Sequence, residues 1–232
     1  MSRKILYLFV LIAAASIFAA TPLLAQDQSK AVEDGGISVD DWNGQIDAQE
    51  AEKGSSLESA KLSQKDDVFS VTTGPAVVYW KTDATSSGNY TVMATFHEAE
   101  FRTLSGHPHP YGIFIGGNDM GTESQSLFYC AAYGSGKFIA RGFGPEPFQM
   151  NARGEENDAI NKAADIGEPV TQAIAVIVSD DKVECSINGT VVGSYEKSDL
   201  IAEGKLKSTD GVYGFRFGHN TAGTVTGFHS MN

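Results

Sequence analysis

Between residues 90 and 97 the sequence alternates strictly between apolar and more polar side chains. Tyr90, Val92, Ala94 and Phe96 occupy one set of positions, with threonine, methionine and histidine between them. Successive side chains of a β-strand point to opposite faces, so this period of two predicts a strand with one buried face. Because a helix would need a period of about 3.6 residues, the segment limits the chain to a fold that contains a half-buried sheet.

Many further short segments have strand character and are separated by turn-forming residues. Asn188-Gly189 predicts a tight hairpin between two of them, because both residues tolerate the positive φ angles that such a turn needs. None of the seven prolines interrupts a predicted strand, as expected for a residue that cannot donate to a strand ladder. The other predicted strands are Phe69–Thr72, Ala76–Lys81, Tyr111–Ile115, Ser126–Tyr133, Lys137–Arg141, Gln172–Ser179, Lys182–Ile187, Thr190–Tyr195, Val212–His219 and Gly223–His229.

Helix is predicted only within connections. One helical turn is expected at Ala48–Lys53, and two short helices are expected at Asn157–Ala164 and Ser198–Glu203. Many short strands without alternating helices are typical of an antiparallel two-sheet sandwich. The predicted fold class is therefore all-β.

The first 25 residues have the pattern of a cleaved secretory signal peptide. Arg3 and Lys4 precede the apolar run Ile5–Ala20, and Thr21–Ala25 has the composition of a cleavage region. The run is shorter than the ~20 apolar residues of a spanning helix, and no cysteine near the cleavage region offers a lipid attachment point. We therefore expect a periplasmic or secreted protein that is not inserted in a membrane.

The rest of the chain divides into a short leader and one domain. Residues 26–40 are polar and unpatterned, which predicts a flexible leader, and residues 41–232 are long enough for a single core. The net charge of −12 argues against nucleic acid and anionic membrane surfaces, but not against sugars. Neither a phosphate-binding loop nor a dinucleotide fingerprint occurs, so no cofactor is predicted.

Cys130 and Cys185 each alternate in phase with apolar residues, so both are expected to point into apolar surroundings. In an exported protein they can persist as a disulfide, but two separate buried thiols fit the sequence equally well. If they are joined, we expect their strands to lie in the same sheet.

Two C-terminal segments carry a resemblance to a known superfamily. DDKVECSINGTVVGSYE followed by STDGVYGFRFGHNTAGTVTGFHS resembles the late strands of the concanavalin A-like jelly rolls. Within that superfamily the chain is most similar to bacterial exported domains grouped with 3-keto-disaccharide hydrolases. The resemblance covers about residues 66–231 and implies a jelly-roll sandwich. It bears on the fold more than on any activity, because these motifs are mostly strand and turn signals.

The resemblance also implies where a catalytic motif should be sought. Family 16 glycoside hydrolases of this superfamily carry Glu-x-Asp-x-x-Glu, which places carboxylates on one face of a strand. The near match Gln45–Glu50 has an amide at the nucleophile position, and an amide cannot attack an anomeric carbon. We do not predict it to be catalytic. If the chain is a hydrolase, Glu98 or Glu146 is the candidate acid/base, with His107 or His109 as partner.

The stretch HPHPYGIFIGGNDMG contains alternating histidines and prolines before a predicted strand. Each proline pushes the preceding residue towards an extended conformation, so His107 and His109 are expected in a stiff loop at the entry to that strand. Zinc needs a third protein ligand, and nothing in the sequence fixes one at ligand spacing. The stretch is interpreted as a structural loop whose imidazoles line a cleft, and no metal ligand is assigned.

The loop RGFGPEPFQMNARG presents aromatic, amide and charged groups of the kind that bind sugar rings and hydroxyls, and an ordinary packed loop carrying the same residues fits the sequence equally well. The sequence thus favours an exported glycan-binding domain without an intact hydrolase motif. The alternatives are a carbohydrate-active hydrolase and a structural or protein-interaction domain. The predicted ligand-binding residues are His97, His107, His109, Arg141, Phe143, Glu146 and Phe148.

Overall fold

The computed structural model describes residues 28–232, so the predicted signal peptide at residues 1–25 lies outside the described residues. Within the described range, no helix is long and apolar enough to cross a membrane. The short helices are α1 Ala48–Ala51, a 3₁₀ turn at Leu57–Ser59 and α2 Lys197–Leu200. The strands are β1 Gly36–Ile37, β2 Trp42–Ile46, β3 Ala60–Lys65, β4 Val68–Thr73, β5 Val77–Ser86, β6 Tyr90–Glu98, β7 Tyr111–Asn118, β8 Ser126–Tyr133, β9 Lys137–Phe143, β10 Phe148–Gln149, β11 Glu155–Glu156, β12 Val170–Val178, β13 Lys182–Ile187, β14 Thr190–Glu196, β15 Gly211–Phe217 and β16 Ala222–Met231.

The strands form two sheets that face each other. Sheet I has the order β1-β3-β4-β16-β6-β12-β13-β14, and sheet II has the order β10-β9-β8-β7-β15-β5-β2, with β11 also paired to β9. Every pairing between named strands of the described chain is antiparallel, except the two-residue pairing of β1 with β3. The fold is the predicted all-β jelly-roll sandwich of two mainly antiparallel sheets.

The main core lies between the sheets. On β6 the alternating residues predicted to be buried do face this core, among them Val92 and Phe96. From sheet II, Phe128 and Phe215 point towards them, so side chains of both sheets fill one layer. This is the packing expected when two half-buried sheets remove their apolar faces from water together.

Sheet II also carries side chains on its other face, which we call the outer face. Tyr79 lies in the main core, whereas its neighbour Trp80 lies on the outer face. The residues facing outwards on β8 and β9 include Tyr129, Tyr133 and Ile139, and they are largely buried in a second apolar cluster. The outer face is therefore largely buried and partly apolar, and its packed side chains can hold polar groups in fixed positions.

A disulfide joins Cys130 on β8 to Cys185 on β13, with the Cα atoms 5.8 Å apart. The expectation that both strands lie in one sheet is wrong, because β8 belongs to sheet II and β13 to sheet I. Both cysteines point from opposite sheets into the core and are fully buried. The bond therefore ties the two layers of the sandwich together.

Three connections differ from the sequence-based expectation. Residues 157–164 form turns and one isolated bridge, and no helix, because their contacts are made with neighbouring strands. Only the first part of the predicted helix at 198–203 is helical, and it belongs to α2. The described part of the leader is attached to the domain: β1 pairs with β3, and the backbone N–H of Lys30 donates to Asn220 Oδ1 at 2.8 Å.

Candidate functional site

A small pocket opens on the outer face of sheet II, and we call it the arginine pocket. It encloses about 90 Å³, well below the ~300–1,000 Å³ of pockets that take whole drug-sized ligands. It is thus sized for one small group at the end of a ligand. The lining residues discussed below are Asp47, Glu50, His109, Tyr129, Tyr133, Arg141, Arg153, Arg216 and His219.

Arg216 on β15 forms the floor of the pocket and is almost fully buried. Its guanidinium donates two hydrogen bonds to Asp47, one of them 2.7 Å long between Nη2 and Oδ2. The guanidinium carbon also lies 5.4 Å from the ring centres of Tyr129 and Phe143. Burial alone would lower the pKa of Arg216, but the charge and hydrogen bonds of Asp47 outweigh it and raise the pKa. Arg216 is therefore a fixed cation whose charge is already balanced.

Arg141 and Arg153 contribute the positive charge that is not balanced in this way. Within residues 28–232, no carboxylate forms an ion pair with either guanidinium. Arg141 lies directly opposite Tyr129 on the neighbouring strand and stacks 5.3 Å from the Phe143 ring centre. Arg153 lies near Tyr133, where its charge opposes the rise that burial causes in the pKa of the Tyr133 hydroxyl. The rim of the pocket is therefore cationic in a protein of net charge −12.

The other side of the pocket is formed by the turn that follows β15. His219 is buried there, and its Nδ1 lies 3.1 Å from Glu50 Oε1. The turn is fixed by Thr73, whose hydroxyl donates to the carbonyl of Gly218 at 2.6 Å and lies 3.2 Å from that of Thr221. Glu50 thus holds the His219 ring, while Thr73 holds the backbone of the turn that carries it.

His219 lies beside the two histidines of the HPHP loop. The ring centres of His109 and His219 are 3.8 Å apart, and those of His107 and His109 are 4.4 Å apart. The loop and the turn approach closely because Gly218 has no side chain: a Cβ there would lie 2.8 Å from the His109 Cβ. The backbone N–H of Gly218 also donates to the carbonyl of Pro110 at 2.7 Å. One nitrogen atom of each imidazole lies within 4.8 Å of the others, which is a geometry that can hold a metal ion.

The structure brings together some of the predicted ligand-binding residues and separates others. His109 and Arg141 line the arginine pocket, and Phe143 packs against Arg141. His97 instead lies on the face of sheet I that points away from the main core, where its Nδ1 is 2.9 Å from the Thr171 hydroxyl. Glu146 is exposed on a loop outside the pocket lining. The predicted residues therefore do not converge on one cleft.

Phe148 is placed in the core between the sheets. Its ring lies under Gly142, where an added Cβ would be 2.0 Å from the Phe148 Cζ. Strand alternation explains this, because Phe148 pairs with Gly142, and both face inwards while Arg141 and Phe143 face outwards. The ring is largely buried, with 9% of the residue exposed, and packs in the core.

Glu98 ends β6 and faces inwards, as its position in the alternation predicts. Burial raises the pKa of its carboxyl to about 7, and a long hydrogen bond from the Arg102 backbone N–H opposes that shift only in part. Its surroundings include Phe101, Gly134 and Val170, and it is not part of the arginine-pocket lining. The raised pKa is thus a consequence of burial at one end of the sandwich.

Seven of the nine lining residues named above were not among the predicted ligand-binding residues, namely Asp47, Glu50, Tyr129, Tyr133, Arg153, Arg216 and His219. Asp47 and Glu50 belong to the near match to the glycosidase motif, where they were not expected to be catalytic. They reach the pocket as partners of Arg216 and His219, one at the end of β2 and the other in α1. Local sequence patterns could not indicate the Asp47–Arg216 and Glu50–His219 pairs, because the two residues of each pair are 169 positions apart.

No protein-family model matches the chain, and no curated protein matches it. Its structure is similar to that of a protein of unknown function with a galectin-like fold from Bacillus subtilis, with a TM-score of 0.54 and 15% identity over 82% of this chain and 88% of that chain. It is more distantly similar to the carbohydrate binding module CBM66 from Bacillus subtilis, with a TM-score of 0.46 and 7% identity over 85% and 99% of the two chains. At these identities the likeness supports the fold alone.

Proposed function

We propose that this chain is an exported glycan-binding domain that holds an acidic sugar residue at the end of its ligand in the arginine pocket. The proposal rests mainly on Arg141 and Arg153, which lie at the rim of the pocket beside Tyr129 and Tyr133. Neither guanidinium group forms an ion pair with a carboxylate of the described chain. Guanidinium groups bind carboxylates through paired, charge-assisted hydrogen bonds, which suits a uronic acid.

Several independent features support binding without bond cleavage. The two carboxylates of the pocket already have partners, since Asp47 is held by Arg216 and Glu50 lies against His219. The two glutamates considered for the hydrolase alternative, Glu98 and Glu146, do not line the pocket.

Export is supported by the signal-like first 25 residues, and the disulfide suits an oxidising compartment.

Calorimetric titration with a uronic-acid oligosaccharide and its carboxyl-reduced, neutral counterpart tests the proposal. We expect binding of the acidic oligosaccharide only, and a loss of at least about tenfold in affinity for Arg141→Ala, because a charge-assisted hydrogen bond contributes about 1.5–3 kcal/mol. Lys182→Ala removes a positive charge from the far sheet and should leave the affinity unchanged.

The same design separates binding from catalysis. The domain should bind equally well as Glu98→Gln and as Glu146→Gln, and the wild-type protein should not cleave the oligosaccharide. Turnover of an oligosaccharide or oxidised disaccharide that disappears in either variant would establish the hydrolase alternative. Absence of binding to any glycan would instead favour a structural or protein-interaction domain.

A further inference from the structure

We propose that His107, His109 and His219 together bind a divalent metal ion, and that the ion is zinc. The three imidazoles come from two separate connections, the loop before β7 and the turn after β15, and one nitrogen atom of each lies within 4.8 Å of the others. The inference does not rest on the proposed glycan function, because it depends only on these residues and their neighbours.

The spacing of the nitrogen atoms is near that of a zinc site. With Zn–N bonds of about 2.0–2.1 Å and tetrahedral angles, two coordinating nitrogens lie about 3.4 Å apart. The nitrogen atoms of the histidine cluster, which lie within 4.8 Å of one another, must therefore approach by up to about 1.4 Å to close on an ion. Closing the site requires the exposed His107 ring to move and the His109 and His219 rings, whose centres lie 3.8 Å apart, to change their relative orientation.

The contact with Glu50 fixes the orientation of the His219 ring. When Nδ1 carries the proton and donates it to Glu50, Nε2 is the nitrogen that can coordinate an ion. A carboxylate that fixes the tautomer and orientation of a metal-binding histidine is a common feature of zinc sites. Glu50 is itself buried and accepts a hydrogen bond from the Ser29 hydroxyl, so its own orientation is fixed.

The chemistry of the donors selects the metal. Three neutral imidazoles suit zinc and neighbouring transition metals, whereas magnesium and calcium require oxygen ligands. Three histidines leave the fourth position of a tetrahedral zinc ion open, as in zinc sites that bind water or a ligand. Because His109 and His219 also line the arginine pocket, the ion would border that pocket and its open position would be available to a bound group.

Titration of the purified, chelator-treated protein with zinc sulfate tests the site in the absence of any glycan. We expect one zinc ion per chain, loss of this binding in His107→Ala, and a 10- to 100-fold weaker affinity in Glu50→Gln. His107 is the variant of choice because it is exposed, so its removal leaves the fold intact. Circular dichroism and thermal unfolding without zinc verify that each variant is folded.

His97→Ala is the matched control, since it removes a histidine from the outer face of the other sheet. It should bind zinc like the wild-type protein, and zinc should raise the unfolding temperature of both but not that of His107→Ala. The proposal is overturned if the wild-type protein binds no stoichiometric zinc, or if His97→Ala loses binding as His107→Ala does. Glycan binding measured with chelator present tests the proposed function separately.

Discussion

Arg216, the penultimate residue of β15, and Asp47, the residue that follows β2, form an ion pair with two hydrogen bonds across 169 positions of sequence. The guanidinium is almost fully buried, whereas the Asp47 side chain is 27% exposed. A buried charge without its partner is costly, because the protein interior cannot replace the water that solvates it. The pair therefore fixes the floor of the arginine pocket and makes Arg216 dependent on Asp47.

We predict that Asp47→Ala lowers the free energy of unfolding by about 3 kcal/mol, since it leaves the guanidinium buried without a counter-charge. The double variant Asp47→Ala/Arg216→Met should recover much of this loss, because it removes the stranded charge as well. Urea denaturation of both variants measures the difference. Asp83→Ala, which removes an exposed partner of Lys81, is the control and should cost less than about 1 kcal/mol. Equal losses in the single and double variants would contradict the prediction.

Local sequence patterns predicted the sandwich because a half-buried strand imposes its period of two on the sequence that forms it. The alternation at Tyr90–Phe96 and the Asn188-Gly189 turn both appear in the structure as predicted, and Asn188 has the positive φ that the turn needs. The sheet that each strand joins was not predictable in this way, since the same alternation fits either layer. The expected position of the Cys130–Cys185 disulfide was wrong for this reason.

The candidate site was predicted only in part because its residues come from distant segments. Local composition indicated His107, His109 and Arg141, which lie near prolines, glycines and aromatic residues in the sequence. His219 and Arg216 lie in the closing strand segment, where no local pattern distinguishes a pocket residue from any other outward-facing one. Their role depends on which loops meet at one end of the fold, and that is a property of the topology.

Glu98 predicts a pH dependence of stability. Burial raises the pKa of its carboxyl to about 7 in the folded protein, against an ordinary value of 4.5. Between these values the folded state holds a proton that the unfolded state has lost, so the stabilising contribution of this group is complete below about pH 4.5 and is lost as the pH rises through about 7. The expected loss from this group is about 3 kcal/mol, from 1.36 kcal/mol for each pKa unit.

Glu98→Gln removes the titration, so the variant should gain up to about 3 kcal/mol over the wild-type protein at pH 8 and little at pH 4.5. Urea denaturation at the two pH values measures both differences. Glu100→Gln changes an exposed carboxylate on the same segment and should follow the wild-type profile. A Glu98→Gln profile parallel to that of the wild-type protein would show that the carboxyl does not titrate in this range.

The disulfide predicts a large contribution to stability. Cys130 and Cys185 are separated by 55 residues, and closing a loop of this length reduces the entropy of the unfolded chain by an amount equivalent to about 4 kcal/mol. We expect Cys130→Ala/Cys185→Ala to unfold at a correspondingly lower urea concentration, and reduction of the wild-type protein to have a similar effect. Titration of the unreduced, unfolded protein should detect no free thiol. Two reactive thiols would contradict the bond.

Gly142 and Phe148 provide a test of the inter-sheet packing beside the arginine pocket. An added methyl group at Gly142 would lie 2.0 Å from the Phe148 ring, and both residues face the core. Gly142→Ala should therefore destabilise the protein by about 1–3 kcal/mol through overpacking. Combining it with Phe148→Leu should relieve part of this loss, because the smaller side chain vacates the space that the methyl group needs. Phe148→Leu alone should leave affinity for an acidic oligosaccharide unchanged, and a drop in affinity without a drop in stability would assign Phe148 to the ligand instead of the core.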